Sequence, residues 1–136
     1  MENKHKHLEF IQNAINRMAG NSFLLKGWTV TLVSAIFALA QKDANRVYLL
    51  VPILPGLIFW FLDGYFLRQE RLFRKLYDHV RLLDEDQIDF SMNTLPFQAS
   101  VDDVIRVALS KTLFAFYGSV MAAVVVAALI QLSLVK

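Results

Sequence analysis

The stretch LFAFYGSVMAAVVVAALIQLSLV, residues 113–135, decides the fold class, because it runs for 23 residues without a charged side chain. A helix needs about 20 mainly apolar residues to cross the hydrocarbon layer of a membrane. Residues 124–130 are apolar on every face, whereas a helix on the surface of a soluble protein has a polar stripe. The stretch therefore predicts a membrane span, against the alternative of a soluble bundle with unusually apolar helices.

Two further apolar stretches precede it. Residues 23–40 (FLLKGWTVTLVSAIFALA) are near the lower length limit for a span, and Lys26 is tolerated there if its long side chain reaches the headgroups. Residues 47–67 (VYLLVPILPGLIFWFLDGYFL) contain two prolines, which helices in a bilayer tolerate with a kink. The link 41–46 is short enough to make a helical hairpin of these two spans. We therefore predict one all-α integral membrane domain with three transmembrane helices.

The distribution of lysine and arginine predicts the orientation. Basic residues mark the cytoplasmic side of bacterial membrane proteins, and they are concentrated before residue 27 and between residues 68 and 106. The link 41–46 holds two of them and the C-terminus only Lys136. The expected protein is a multi-pass protein of the bacterial inner membrane, with a cytoplasmic N-terminus and a periplasmic C-terminus.

Residues 2–19 predict an amphipathic helix at the cytoplasmic N-terminus. Leu8, Ile11, Ile15 and Met18 recur at steps of three and four, as the apolar face of a helix does. Such a helix lies on the inner membrane surface or packs against other cytoplasmic helices. Packing is favoured, because the apolar stripe is narrow and the polar face is rich in asparagine.

Residues 68–86 follow the second span without a helix breaker and predict its cytoplasmic extension, a helix of about 40 residues in all. Four apolar residues recur in it at the spacing of a helix-packing seam, and such a projecting seam needs a partner. They are Phe73, Leu76, Val80 and Leu83. Residues 87–99 predict a loop, a candidate lid or partner-binding segment. Ser100 then resembles the N-cap of a helix over 100–112 that continues into the third span.

Three charged residues fall at the inner ends of the spans, so they are expected to form one layer: Lys26, Asp63 and Lys111. A carboxylate at that depth is costly alone, which favours an ion pair of Asp63 with either Lys26 or Lys111. The pair either fixes helix register and depth, or acts as a gate or ligand-coupled switch. A proton relay is the third interpretation, but it usually needs deeper carboxylates.

The basic residues after the second span are candidate contacts for anionic headgroups or for an anionic ligand such as a nucleotide. They are Arg68, Arg71, Arg74, Lys75 and Arg81. A net charge of +2 is too small to indicate direct nucleic-acid binding.

Catalytic and metal-binding patterns are not evident in the sequence. No nucleophile–base arrangement, phosphate loop or paired carboxylates can be found, and the chain has no cysteine. His5 and His7 alternate, so they do not share a helix face, and no carboxylate completes a coordination shell. The sequence predicts neither an enzyme nor a bound metal or cofactor.

Two motifs carry a resemblance to a known group of proteins. Residues 21–28 (NSFLLKGW) and 63–71 (DGYFLRQER), continued by FRKLY at 73–77, resemble small bacterial membrane proteins of antiphage nucleotide-signalling loci, including loci with TIR-domain proteins. The resemblance covers about residues 1–80. It implies a membrane effector that assembles in the inner membrane and compromises it when a cytoplasmic signal arrives.

The leading functional expectation is therefore a homo-oligomeric, channel-like effector that responds to a nucleotide-type signal or a cytoplasmic protein. Three spans are too few to enclose an aqueous path, so a pore would lie between subunits. The alternative is a non-conducting membrane anchor or accessory subunit that docks a soluble partner through its cytoplasmic helices. A transporter ranks third, since neither an inverted repeat nor a polar site at mid-membrane is evident.

Overall fold

A computed structural model describes residues 2–40 and 49–134, and the regular elements of this part of the chain are all helical. Two short 3₁₀ helices, Glu85–Gln87 and Leu95–Ser100, lie in the connection between the second and third α-helices. The α-helices are α1 (Glu2–Ala40), α2 (Ile53–Val80), α3 (Val104–Ala108) and α4 (Lys111–Leu134).

Helix α1 is continuous over 39 residues, about 58 Å at 1.5 Å per residue. The predicted amphipathic helix 2–19 and the predicted span 23–40 are two parts of this one helix. The polar residues between them do not interrupt it, because the stretch contains no proline and Gly20 alone is a weak breaker.

Helix α2 begins directly after Pro52, and Pro55 lies in its first turn. A proline there removes an N–H that has no intrahelical partner, so the prolines start the helix and do not kink it. The helix ends at Val80 and has 28 residues, which corrects the predicted length of about 40. Lys4 contributes to this end, because its Nζ donates to the carbonyl oxygens of Arg81 at 2.9 Å and Leu83 at 2.7 Å. Residues 47 and 48 of the predicted second span lie outside the described residues.

The prediction of an unbroken helix from Ser100 into the third span is wrong. Ser100 closes a 3₁₀ helix, and Asp103 caps α3 by accepting a hydrogen bond from the backbone N–H of Arg106 at 2.9 Å. Helix α3 stops at Ala108, whose carbonyl oxygen accepts a hydrogen bond from Trp60 Nε1 at 2.6 Å. In a continuous helix that oxygen would accept from the N–H four residues later, so the indole takes its place.

Helices α1, α2 and α4 pack side by side, with α2 antiparallel to the other two. Ala40, Leu49 and Ala128 form one cluster at one end of the three helices. Asp63 contacts α1 and α4 in the middle of the molecule. We call residues 23–40, 49–62 and 111–134 the apolar bundle, and residues 2–21 and 64–110 the polar module.

Helices α1 and α4 are each long and apolar enough to cross a membrane, and they are the two such helices among the described residues. The predicted third candidate, α2, has only the ten residues 53–62 before its first charge at Asp63. Large apolar side chains nevertheless face outward from all three helices. They include Phe23, Trp28, Leu39, Leu54, Phe61, Phe114, Leu129 and Leu134.

The polar module has a core of its own, where α1 packs on the end of α2. Ile11 and Ile15 of α1 are buried against Leu76, Val80 and Ile88. Packing of the amphipathic segment against the other helices, as favoured from its narrow stripe, is confirmed. The seam of Phe73, Leu76, Val80 and Leu83 is thus covered by the chain's own N-terminal helix, and the inference that it needs an outside partner is wrong.

Residues 88–94 are non-helical and connect the two 3₁₀ helices. Side chains hold this loop locally. Asp89 accepts from the N–H of Ser91, Ser91 from that of Asn93, and Asn93 from that of Leu95. Such hydrogen bonds between side chains and the backbone compete with those of a helix, which explains why residues 88–94 are not helical.

Candidate functional site: a buried carboxylate where three helices meet

The three long helices meet at Asp63, whose side chain is fully buried. Asp63 lies near the middle of α2, on the face that α1 and α4 cover. Ser22 and Lys26 stand one turn apart on α1 and therefore share a face. Tyr117 projects from α4 and is also fully buried.

Asp63 accepts hydrogen bonds from all three of these side chains. Ser22 donates to Oδ1. Lys26 Nζ donates to Oδ2 at 2.7 Å, and Tyr117 donates its hydroxyl to the same oxygen at 2.8 Å. Lys26 also donates to Ser22 Oγ at 2.8 Å, which closes the network between α1 and α2. We call Ser22, Lys26, Asp63 and Tyr117 the Asp63 cluster.

An ion pair and hydrogen bonds together explain how the Asp63 carboxylate can be buried away from solvent. Lys26 neutralises Asp63, and the hydroxyls of Ser22 and Tyr117 donate one further hydrogen bond to each carboxylate oxygen. A buried ion pair is tolerated only when its geometry is good and further hydrogen bonds complete it. The Lys26 side chain retains 22% exposure, so it lies at the edge of this buried site.

Trp60 connects the cluster to α3. Its ring stacks on Tyr117, with centroids 5.8 Å apart and planes 9° apart, while its Nε1 holds the Ala108 carbonyl. Gly64 lies against the same alanine, and a Cβ at Gly64 would come within 2.9 Å of Ala108 Cβ. Trp60 and Tyr117 therefore form a chain of contacts between Ala108 of α3 and Asp63.

The structure brings together two of the three residues of the predicted charged layer. Of the two partners left open for Asp63, it is Lys26 that forms the ion pair. Lys111 is exposed at the start of α4, six residues or about 9 Å along the helix from Tyr117. It lies on the polar-module side of the cluster and outside it.

Sequence reasoning missed Ser22, Tyr117 and Trp60 as parts of the site. A signal for Ser22 exists, since it precedes Lys26 by one helical turn. A signal for Tyr117 also exists, because a phenol inside an apolar stretch needs a hydrogen-bond partner. Trp60 stands within an apolar stretch, and nothing in its spacing points to α3.

The five basic residues singled out after the second span are not equivalent. Arg71, Arg74 and Lys75 line one groove of about 280 Å³, whose opposite wall is residues 100–102. Arg68 lies outside that lining and donates from Nε to the Asp102 carbonyl oxygen at 3.0 Å. Arg81 also lies outside it and pairs with Asp78 at 3.3 Å.

Within residues 2–40 and 49–134, no group of three or more histidine and acidic side chains is placed to hold a metal ion. The site therefore has a structural role to offer: the Asp63 carboxylate links three helices through charge-assisted hydrogen bonds. In the comparisons with known proteins, no family model, curated protein or solved structure matches this chain.

Proposed function

We propose that this chain is a three-span protein of the bacterial inner membrane that assembles into homo-oligomers and perturbs the membrane when its cytoplasmic polar module receives a signal. The observation that carries the proposal is the Asp63 cluster. It links the three helices of the apolar bundle at the point where α1 and α2 pass without a break into the polar module.

Distances along the helices support α2 as the third span. From Ser22 to the end of α1, and from Tyr117 to the end of α4, the chain rises by about 27 and 26 Å. Both values are close to the ~30 Å of a hydrocarbon core. The α2 side of the bundle reaches the same far end, because Leu49 packs against Ala40 and Ala128. A bilayer that covers α1 and α4 would therefore also cover residues 49–62.

The continuity of α1 and α2 supports coupling between the polar module and the membrane. Both helices contribute to the apolar core of the module, through Ile15 and Leu76, and both contribute to the Asp63 cluster. A ligand that changes how the two helices pack in the module would change their relation at Asp63. Packed helices can transmit such a change, because packed cores switch between discrete arrangements and do not deform continuously.

The apolar bundle supports assembly of several subunits. The seam on α2 is not available for this, because α1 of the same chain covers it. A groove of about 420 Å³ separates α1 from α4 and is lined by small or apolar residues that include Ser34, Ala38, Ala123 and Ala127. Small residues allow close helix contacts in a membrane. Its lining is mainly apolar, so we place the water-filled path of the proposed oligomer between subunits and not in this groove.

Dye leakage from liposomes tests the proposal. Purified protein is reconstituted with a trapped dye and exposed to extract from phage-infected or uninfected cells. We expect leakage above protein-free liposomes, increased by extract from infected cells. Ala123→Leu, which fills the groove, should reduce leakage, whereas Ala122→Leu, exposed beside the groove, should not. Leakage that never exceeds the protein-free level would contradict the proposal.

The alternative, a non-conducting accessory subunit, is favoured by one surface of the polar module. Phe10, Phe90 and Met92 are exposed around a groove of about 390 Å³ beside the N-terminus of α1. Phe90 has a φ of 58°, a strained value for a residue other than glycine. Affinity purification in detergent separates the two functions: a stoichiometric foreign protein supports the accessory subunit, and a closed homo-oligomer supports the effector.

A further inference from the structure

The groove between α2 and residues 100–102 has the features of an anion site. Arg71, Arg74, Lys75 and Asp78 form its α2 wall at a spacing that places them on one helix face. Residues 100–102 form the opposite wall. The hydrogen bond from Arg68 Nε to the Asp102 carbonyl ties this wall to α2.

Charge pairing within the groove leaves two cations available. Arg74 is bound by Glu70 at 2.8 Å, and Asp78 is bound by Arg81 at 3.3 Å. Arg71 and Lys75 have no ion pair among the described residues. They line the groove together with Ser100, a residue that carries a hydroxyl, while Asp102 is the remaining acidic residue of the lining.

The groove lies where the proposed bilayer would meet water. Arg71 follows Asp63 by eight residues, about 12 Å along α2 on the polar side. Ile105 of the neighbouring helix α3 and Leu109 just after it are exposed, and both side chains are suited to the boundary of a membrane. An anionic group at the membrane surface would therefore have direct access to the groove.

We propose that this groove binds a single phosphate group. Arginine matches two phosphate oxygens with its planar fork, lysine adds a compact positive charge, and a serine hydroxyl donates to a third oxygen. Asp78 and Asp102, the two acidic residues of the lining, oppose the binding of a larger polyanion. The phosphate comes either from a phospholipid headgroup or from a soluble phosphorylated molecule. The inference rests on the proposed function for the cytoplasmic position of the groove.

Two binding measurements on the full chain distinguish the sources. In the first, native mass spectrometry counts phosphatidylglycerol retained from mixed micelles of phosphatidylglycerol and phosphatidylcholine. In the second, calorimetry in a neutral detergent measures binding of inorganic phosphate. Each compares wild type with the Arg71→Gln/Lys75→Gln double variant and with Arg17→Gln, which removes an exposed charge from α1 at a similar depth.

We expect wild type to bind one of the two probes, and the double variant to bind it about tenfold more weakly or worse. Arg17→Gln should bind like wild type, and a charge-preserving Arg71→Lys variant should lose less than the double variant. Absence of binding in both measurements, or an equal loss in Arg17→Gln, would overturn the inference. Neither measurement uses leakage, so failure here leaves the effector proposal standing, and failure of the leakage assay leaves the phosphate site standing.

Discussion

At the scale of single residues, Asp63 is the acceptor on which three donors from two other helices converge. Substitution by alanine leaves the Lys26 charge and the hydroxyls of Ser22 and Tyr117 without that acceptor. Removing one partner of a buried ion pair typically costs about 3–5 kcal/mol. We expect Asp63→Ala to lower the free energy of unfolding by that order, measured by denaturant titration in detergent.

The partner of Asp63 is tested by exchanging charges. Asp63→Lys combined with Lys26→Asp should recover part of the stability lost by either single change, since the ion pair is re-formed in reverse. The matched control is Asp63→Lys with Lys111→Asp, which should recover nothing because Lys111 lies outside the cluster. Equal recovery with both partners would contradict the observed pairing.

Close packing at Gly64 gives a third prediction at this scale. A Cβ added there would stand 2.9 Å from Ala108 Cβ and 3.2 Å from its Cα, so α3 must shift. We expect Gly64→Ala to destabilise the protein by about 1–3 kcal/mol. Gly20→Ala is the control, since nothing lies within 4 Å of a Cβ at that helical position. A stability gain for Gly64→Ala in the same denaturant titration would show that α3 does not pack there.

At the scale of elements, the seam on α2 stabilises the fold of one chain. Leu76 is 4% exposed in the core that α1 covers, whereas Leu82, just past the end of α2, is 78% exposed. Leu76→Asp should therefore unfold the polar module, by burying a charge without a partner. Limited proteolysis should then cleave the polar module much faster than in wild type, while Leu82→Asp should behave as wild type. If Leu76→Asp left the rate of proteolysis unchanged but reduced the size of the oligomer, the seam would instead be a contact between chains.

The helical elements could largely be predicted from apolar periodicity, and their ends could not. The stripe of Ile11 and Ile15 and the seam on α2 each show the spacing of a buried face, and they pack on each other. The break between α3 and α4 depends on Trp60 capturing the Ala108 carbonyl, a contact across 48 positions of the chain. Local propensity carries no information about such a contact, which is why a continuous helix was expected.

The candidate site was predictable to the same degree. Asp63 and Lys26 stand out because charges are rare within apolar stretches. Lys111 meets the same criterion but lies outside the site. The residue of α4 that contacts Asp63 is Tyr117, because the rotation of α4 about its axis places the tyrosine on the inner face. Depth along the sequence places a residue in a layer, but the rotation of each helix decides which residues touch.

At the scale of the whole molecule, the central claim is that three helices cross the membrane and keep the polar module on the cytoplasmic side. Helices α1 and α4 satisfy the length and composition of spans. Asp63 of α2 contacts both of them, and Leu49, just before α2, packs against their far ends. A two-span arrangement through α1 and α4 alone, with the N-terminus still inside, would require α4 to run opposite to α1 and would leave residues 64–110 on the periplasmic side. The location of that segment therefore separates the two arrangements.

Cysteine accessibility measures that location directly, because the natural chain contains no cysteine. Asn3→Cys and Asn93→Cys, both at exposed positions, are treated in intact cells with a maleimide that crosses the outer but not the inner membrane. Three spans predict that both cysteines react only after the inner membrane is permeabilised. Reaction of Asn93→Cys in intact cells, with Asn3→Cys protected, would contradict the three-span account.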